Sequence, residues 1–155
     1  MSVAAVIPQM APSAPVHTIS ILVRNKPGVL VRVALVFSRR GFNIESLVVS
    51  PGAEGRFSRM TIVSSGNSRD LGQIILQLAK LVDVVHAIDH TGDDSYETEI
   101  ALVKLFAPLD QRTQILQIHG PSEKLDAFID LLRPFKLPEI VRSGKLLMAR
   151  GVRVT

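Results

Sequence analysis

Cysteine and tryptophan are both missing from these 155 residues, and tyrosine occurs once. Without cysteine there is no disulfide framework, no thiol nucleophile and no Cys-ligated zinc; a reducing compartment is permitted but not required. Aromatic residues make up only 5% of the chain, too few for the stacking platforms on which single-stranded bases lie. No apolar run approaches the roughly 20 residues that cross a bilayer, and the expected location is cytoplasmic. Runs of one charge are also lacking. Lys and Arg number 18 against 14 Asp and Glu, and the whole excess falls in residues 1–92; residues 93–155 are balanced. Such scattered charge reads as a solvated face rather than a nucleic-acid footprint. Of the histidines (His17, His86, His90 and His119) only His86 and His90 are close in sequence, without an HExxH-like spacing, so no metal site is expected. GxSxG, P-loop and GxGxxG motifs are absent, and no residue is assigned a catalytic role.

What is present is enough apolar sequence, 46%, to build a packed core. The opening MSVAAVIPQMAPSAPV lacks a positive start and is broken by Pro8, Pro12 and Pro15. Residues 1–16 therefore read as a flexible arm rather than a secretory signal. His17–Val23 is β-branched and apolar, a buried strand. Asn25 stands near a helix N-cap, with Pro27 at an opening helical position and Gly28 beside it. Leu30, Val33, Ala34 and Phe37 recur on one helix face, and Gly41 supplies the stop. Asn43–Ser50 and Phe57–Ser65, joined by a short Pro-Gly turn, form a hairpin. Asn67 caps a second helix with Leu71, Ile74, Ile75 and Leu78 inward, and Val82–His90 closes the unit. The order strand, helix, strand, strand, helix, strand gives a ferredoxin-like α+β sandwich over 17–92. Val29, Val31, Leu35 and Val36 make its first helix unusually apolar, which points to an oligomer. In 93–155, Glu97–Phe106 is a strand, Gln111–Ile118 fits either helix or strand, and Ser122 opens a helix bearing Leu125, Phe128, Ile129 and Leu132. Leu137–Gly151 reads as a strand or hairpin around Ser143-Gly144.

The most informative local feature is the turn NKPGVL. A Pro-Gly turn at a helix N-terminus presents free backbone N–H groups and a positive dipole end, which suits a carboxylate. The same residues also serve simply to start a helix, and Asn43 also reads as a plain turn residue. NKPGVLVRVALVFSRRGFNIESLVVSP, followed by FSRMTIVSSG and KLVDVVHAIDHTG, closely resembles the ACT domain of the small regulatory subunits of acetolactate (acetohydroxyacid) synthase. EIALVK, KLDAFIDLLRPF and EIVRSGKLLMARG resemble the C-terminal domain of that family. The resemblance implies a non-catalytic subunit without a cofactor. Its partner would be a catalytic large subunit carrying thiamine diphosphate, Mg²⁺ and usually FAD. The small subunit would raise that enzyme's activity and confer feedback inhibition by a branched-chain amino acid, most often valine. It further implies a homodimer of ACT domains with the effector between them. Asn25, Pro27, Gly28, Val29 and Leu30 of one protomer would then face Asn43 and Ile44 of the other. Arg59, within SRMTI, is a candidate contact for the large subunit, or else a solvated strand charge. About twenty residues usual in the family are missing between Leu116 and Gly120, so the second domain reads as shortened. The competing reading is a stand-alone amino-acid-sensing module that controls another enzyme or a transcription factor.

Overall fold

A computed structural model describes residues 14–107, 112–152 and 155. The predicted arm over 1–16 lies outside the described residues up to 13, and the first strand already begins at Val16. The described residues divide into two compact units: 14–96 together with the segment from Lys145 onward, and Glu97–Gly144. That last segment, which the sequence assigns to the C-terminal domain, thus groups with the first unit.

In the first unit, β1 (Val16–Arg24), α1 (Val29–Arg39), β2 (Asn43–Pro51), β3 (Phe57–Ser65), α2 (Ser68–Ala79) and β4 (Val84–Asp89) follow in the expected order. The sheet order is β2-β3-β1-β4, with all pairs antiparallel, the ferredoxin-like arrangement. Ile19, Ile21 and Val23 of β1 and Met60 and Ile62 of β3 point to the helices and are essentially buried. Strand alternation makes this possible, because every second side chain meets the same layer. The inward stripe of α1 is Val29, Val33 and Phe37, and Leu30 is 41% exposed. Val33 and Phe37 thus face inward as expected, while Val29 takes the inward place expected of Leu30. Leu30, Val31 and Leu35 form an exposed apolar flank instead.

Both ends of α1 follow from glycine. Gly28 has φ 80°, a left-handed conformation that cannot continue a helix, so α1 starts at Val29 and Pro27 stays in the preceding turn. Gly41, at φ 69°, lets the Phe42 N–H reach Phe37 O at 3.1 Å and its own N–H reach Ser38 O at 3.1 Å. That closes the helix as sequence predicts. In α2, Asn67 Oδ1 accepts from Arg69 N at 3.1 Å, and Leu71, Ile74 and Leu78 are buried. The fourth strand is shorter than expected: Val82 is exposed in a turn with Asp83, and pairing begins at Val84.

The second unit holds β5 (Ser95–Ala107), β6 (Arg112–Gly120), α3 (Ser122–Leu132) and β7 (Lys136–Arg142), with strand order β6-β5-β7. The ambiguous segment from Gln111 is a strand from Arg112 onward; Gln111 itself lies outside the described residues. Alternation on β5 buries Ala101, Val103 and Leu105, while α3 contributes Leu125. Phe128, expected inward, is 36% exposed. Strand β8 (Leu146–Ala149) follows the Ser143-Gly144 break.

Glu99, only 5% exposed, is the least solvated carboxylate among the described residues of this small unit. Arg142 Nε donates to it at 3.1 Å, a second guanidinium nitrogen completes a bidentate pair, and Nη1 reaches Asp126 Oδ1 of α3 at 2.5 Å. One arginine thereby ties β5, β7 and α3 together, and these partners raise its own pKa despite the opposing cost of burial. Truncating it leaves a buried charge without a counter-ion. Arg142→Ala is expected to destabilise residues 97–144 by about 3 kcal/mol, read as faster hydrogen exchange there with 14–96 unchanged. Unaltered protection of β5 and β7 would show that the pair contributes nothing net.

Candidate functional site

The Pro-Gly turn follows β1 at the end of the sheet where Arg24 pairs with Phe57. Asn25 does not cap α1. Its N–H bonds Arg56 O at 2.9 Å and its Nδ2 donates to Gly55 O at 3.0 Å, so it fastens this turn to the β2–β3 turn. The N-cap position belongs to Gly28, with no side-chain cap. Val29 N reaches Lys26 O at 3.4 Å, and Arg32 N bonds Gly28 O at 3.2 Å. The amides of Leu30 and Val31 have no acceptor among the described residues. A Cβ built on Gly28 would meet nothing nearer than Arg32 Nη1 at 4.0 Å, so the space in front of the helix end is open.

Charge at this end is predominantly basic. Lys26 lies 3.9 Å from Asp83, and Arg32 hydrogen-bonds the other Asp83 oxygen. Asp83 also receives Arg24 N on its backbone carbonyl, at 2.8 Å. The sequence pattern puts it in the fourth strand; its actual position in the turn before β4 makes it the residue that orients both cations. Free amides, a positive helix end and flanking cations favour an anion at this point.

Asn43 and Ile44 lie elsewhere. Asn43 opens β2 opposite Ser65, the last residue of β3. Phe57 and Ser65 are eight residues apart on one strand, so the two groups of candidate residues stand roughly 26 Å apart at about 3.3 Å per residue. They occupy opposite ends of a single sheet. Ile44 is half-buried and packs on the core. The ladder shifts between Ile44 and Ser46, leaving Glu45 unpaired in a bulge. Glu45 accepts from Asn43 Nδ2 at 2.7 Å and from Ser65 Oγ. Those bonds, Ser65 first, hold its carboxyl below the ordinary glutamate range. Sequence reasoning missed Glu45 and Ser65; their adjacency depends on the bulge, which no local pattern announces. Arg59, third on β3 between Leu22 and Ser50, is half-exposed on the sheet face away from the helices, two residues from the Phe57 end and six from Ser65.

Residues 19–86 match the family model described as the AHAS small subunit-like ACT domain, and residues 108–151 match the small subunit of acetolactate synthase. The acetolactate synthase small subunit of Mycobacterium leprae is 40% identical, covering 90% of this chain and 94% of that protein. A probable acetolactate synthase small subunit of Archaeoglobus fulgidus is also 40% identical, covering 87% and 97%. The chain belongs to the acetolactate synthase small-subunit family. A crystal structure of the acetolactate synthase small subunit from Thermotoga maritima superimposes with a TM-score of 0.77 at 34% identity, covering 88% of this chain and 98% of that one. The M. leprae alignment extends over 159 residues yet takes in only nine-tenths of these 155, about 140. About twenty of the relative's residues therefore have no counterpart here, in keeping with a shortened second domain. No described helix is long and apolar enough to cross a membrane.

The Glu45 carboxyl is expected to titrate below a free glutamate, and Asn43→Ala or Ser65→Ala to move its midpoint upward, followed by NMR of the side-chain carboxyl carbon. A depressed folded-state pKa stabilises the fold above the unfolded-state pKa and loses that contribution as pH falls through the folded one. Because Glu45 is exposed, that effect on stability is small. Midpoints unmoved by both substitutions would remove these hydrogen bonds as the cause.

Proposed function

We propose that this chain is the non-catalytic regulatory subunit of a cytoplasmic acetolactate synthase. In this reading it activates a large subunit that carries thiamine diphosphate, Mg²⁺ and usually FAD, and it confers feedback inhibition by a branched-chain amino acid, valine foremost. The observation that carries the reading is the placement of the two half-sites at opposite ends of one sheet. One chain cannot close such a site, whereas two chains related by a twofold axis can.

The edge strand β2 supplies the means. Antiparallel pairing of β2 with its copy sets Asn43 of one protomer beside Pro51 of the other. Pro51 pairs with Ser58 at the same sheet end as the Pro-Gly turn. The result is a continuous eight-stranded sheet with two equivalent sites. The same pairing covers an otherwise open edge and gives the exposed Val49, Leu30, Val31 and Leu35 a partner. In the shared site the effector carboxylate takes the free amides of Leu30 and Val31, close to the glycine space at Gly28. Asn25, Pro27 and Val29 shape the turn, and Asn43 with Ile44 of the other chain supplies polar and apolar contacts. Arg59, outside the site on the far face, is a candidate contact for the large subunit. Valine needs only about 1–3 kcal/mol of preference for one state of the assembly to inhibit usefully.

The test is reconstitution with a large subunit and an assay of acetolactate with and without valine. Gly28→Asp places a carboxylate against the effector's own and is expected to abolish valine inhibition while activation persists. Gly28→Ala controls for the left-handed backbone, whose strain is about 1–2 kcal/mol, and should retain inhibition in part. Asn43→Ala should weaken valine binding, and Arg59→Ala should lower activation alone. Full inhibition of the Gly28→Asp complex, or no activation by the wild-type chain, contradicts the reading.

A further inference from the structure

The second unit repeats part of the first. In the first, β1 is interior to the order β2-β3-β1-β4, and α2 joins β3 to β4. In the second, β5 is interior to the order β6-β5-β7, both pairs are antiparallel, and α3 joins β6 to β7. β6, β5 and β7 therefore take the places of β3, β1 and β4. Counterparts of α1 and β2 are missing among the described residues. Those two elements hold 11 and 9 residues, which matches the deficit of about twenty against the M. leprae relative. β6 runs unbroken from Arg112 to Gly120. The deletion thus falls before β6, not between Leu116 and Gly120 as the sequence alone suggests.

The loss leaves an interior strand at an edge. β3 has β2 on its second side, and its helix-facing Met60 and Ile62 are essentially buried. β6 has only β5 beside it among the described residues, and its helix-facing Leu116 and Ile118 are half-buried. On the other face Ile115 is 65% exposed. The strand is nine residues long, RTQILQIHG, without proline, lysine or an acidic residue. Those are the residues that soluble proteins place on edges to prevent stray pairing.

We propose that β6 pairs with β6 of a second copy, antiparallel about Leu116, so that the other copy's strand fills the place of the missing one. Leu116 is the middle residue, and this register engages the whole strand. Leu116 meets Leu116, Gln114 meets Ile118, and Ile115 meets Gln117. Each pair keeps to one sheet face, because the two-residue period is preserved. Arg112, the strand's one basic residue besides His119, meets Gly120, so the two guanidinium groups stand at opposite ends of the ladder. Self-complementarity of this kind is what an isologous twofold contact requires, and it selects a second copy as the occupant. The contact uses a different strand from the β2 pairing and stands or falls without it.

The chain has no cysteine, so introduced thiols report this contact alone. Ile115→Cys and Gln117→Cys, both on the exposed face, are mixed as full-length chains under mild oxidation. Residues directly opposite stand about 4.5–5.5 Å apart, within disulfide reach. Two copies of position 115, or of position 117, lie on diagonals of about 7–8 Å, beyond it. The mixed disulfide is expected to form about tenfold faster or more than either homodisulfide. Leu131→Cys, 72% exposed on α3, marks the collisional rate. In the unmodified chain, hydrogen exchange over residues 112–120 should slow as concentration rises. A mixed disulfide no faster than that of Leu131→Cys, or no faster than the homodisulfides, overturns the pairing. So does protection of β6 that ignores concentration and vanishes on removing residues 1–13, which assigns the edge to the chain's own N-terminal segment. Protection that appears only on adding a large subunit also overturns it.

Discussion

The antiparallel register of β3 with its two neighbours is the constraint on which the rest depends. β1 pairs along its whole length, Val16 with Ser65 through Arg24 with Phe57, and β2 runs alongside with Asn43 opposite Ser65. That register sends the Pro-Gly turn and the Asn43 segment to opposite ends of a rigid layer. Side chains cannot bridge such a gap, and the sheet cannot bend to close it, because its helix-facing side is filled by Ile19, Ile21, Ile62, Val33 and Phe37. If both segments serve one ligand, a second chain is a geometric necessity. An effector at that seam would then bias the assembly directly, by its differential affinity for two arrangements of the protomers.

The order of elements in the first unit was legible because each signal is local. Gly41 stops α1, Asn67 caps α2, and period-two alternation marks β3. The errors share one origin. Gly28 reads as a helix residue beside Pro27, yet its left-handed backbone delays α1 to Val29, which takes the inward place of Leu30 while Val33 and Phe37 stay buried as expected. Leu30 consequently faces solvent, where it is available to a partner. Asn25, an N-cap by residue type, finds a carbonyl in a distant turn instead. Tertiary partners decide such cases, and no window of sequence contains them.

The candidate site was legible only in halves. Its residue types could be picked out, but Glu45 and Ser65 come together through a bulge, and Asp83 joins Lys26 and Arg32 across 51 residues or more. The second unit was harder still. Its β6 carries no decisive period, and among the described residues α3 alone covers the β6-β5-β7 strands. A core this small relies on Arg142 with Glu99 and Asp126 to fix its parts, where the larger first unit relies on apolar packing.

Complementation between two defective chains reaches the central claim most directly. A Gly28→Asp homodimer and an Asn43→Ala homodimer each carry one damaged half in every site. In a mixed dimer both lesions fall in the same site, and the other is intact. Calorimetry on dimers co-refolded from equal amounts of the two chains should therefore recover high-affinity valine binding, at one site per mixed dimer, absent from either parent alone. Should the mixture bind no better than its parents while mixed dimers demonstrably form, the site is not shared between chains.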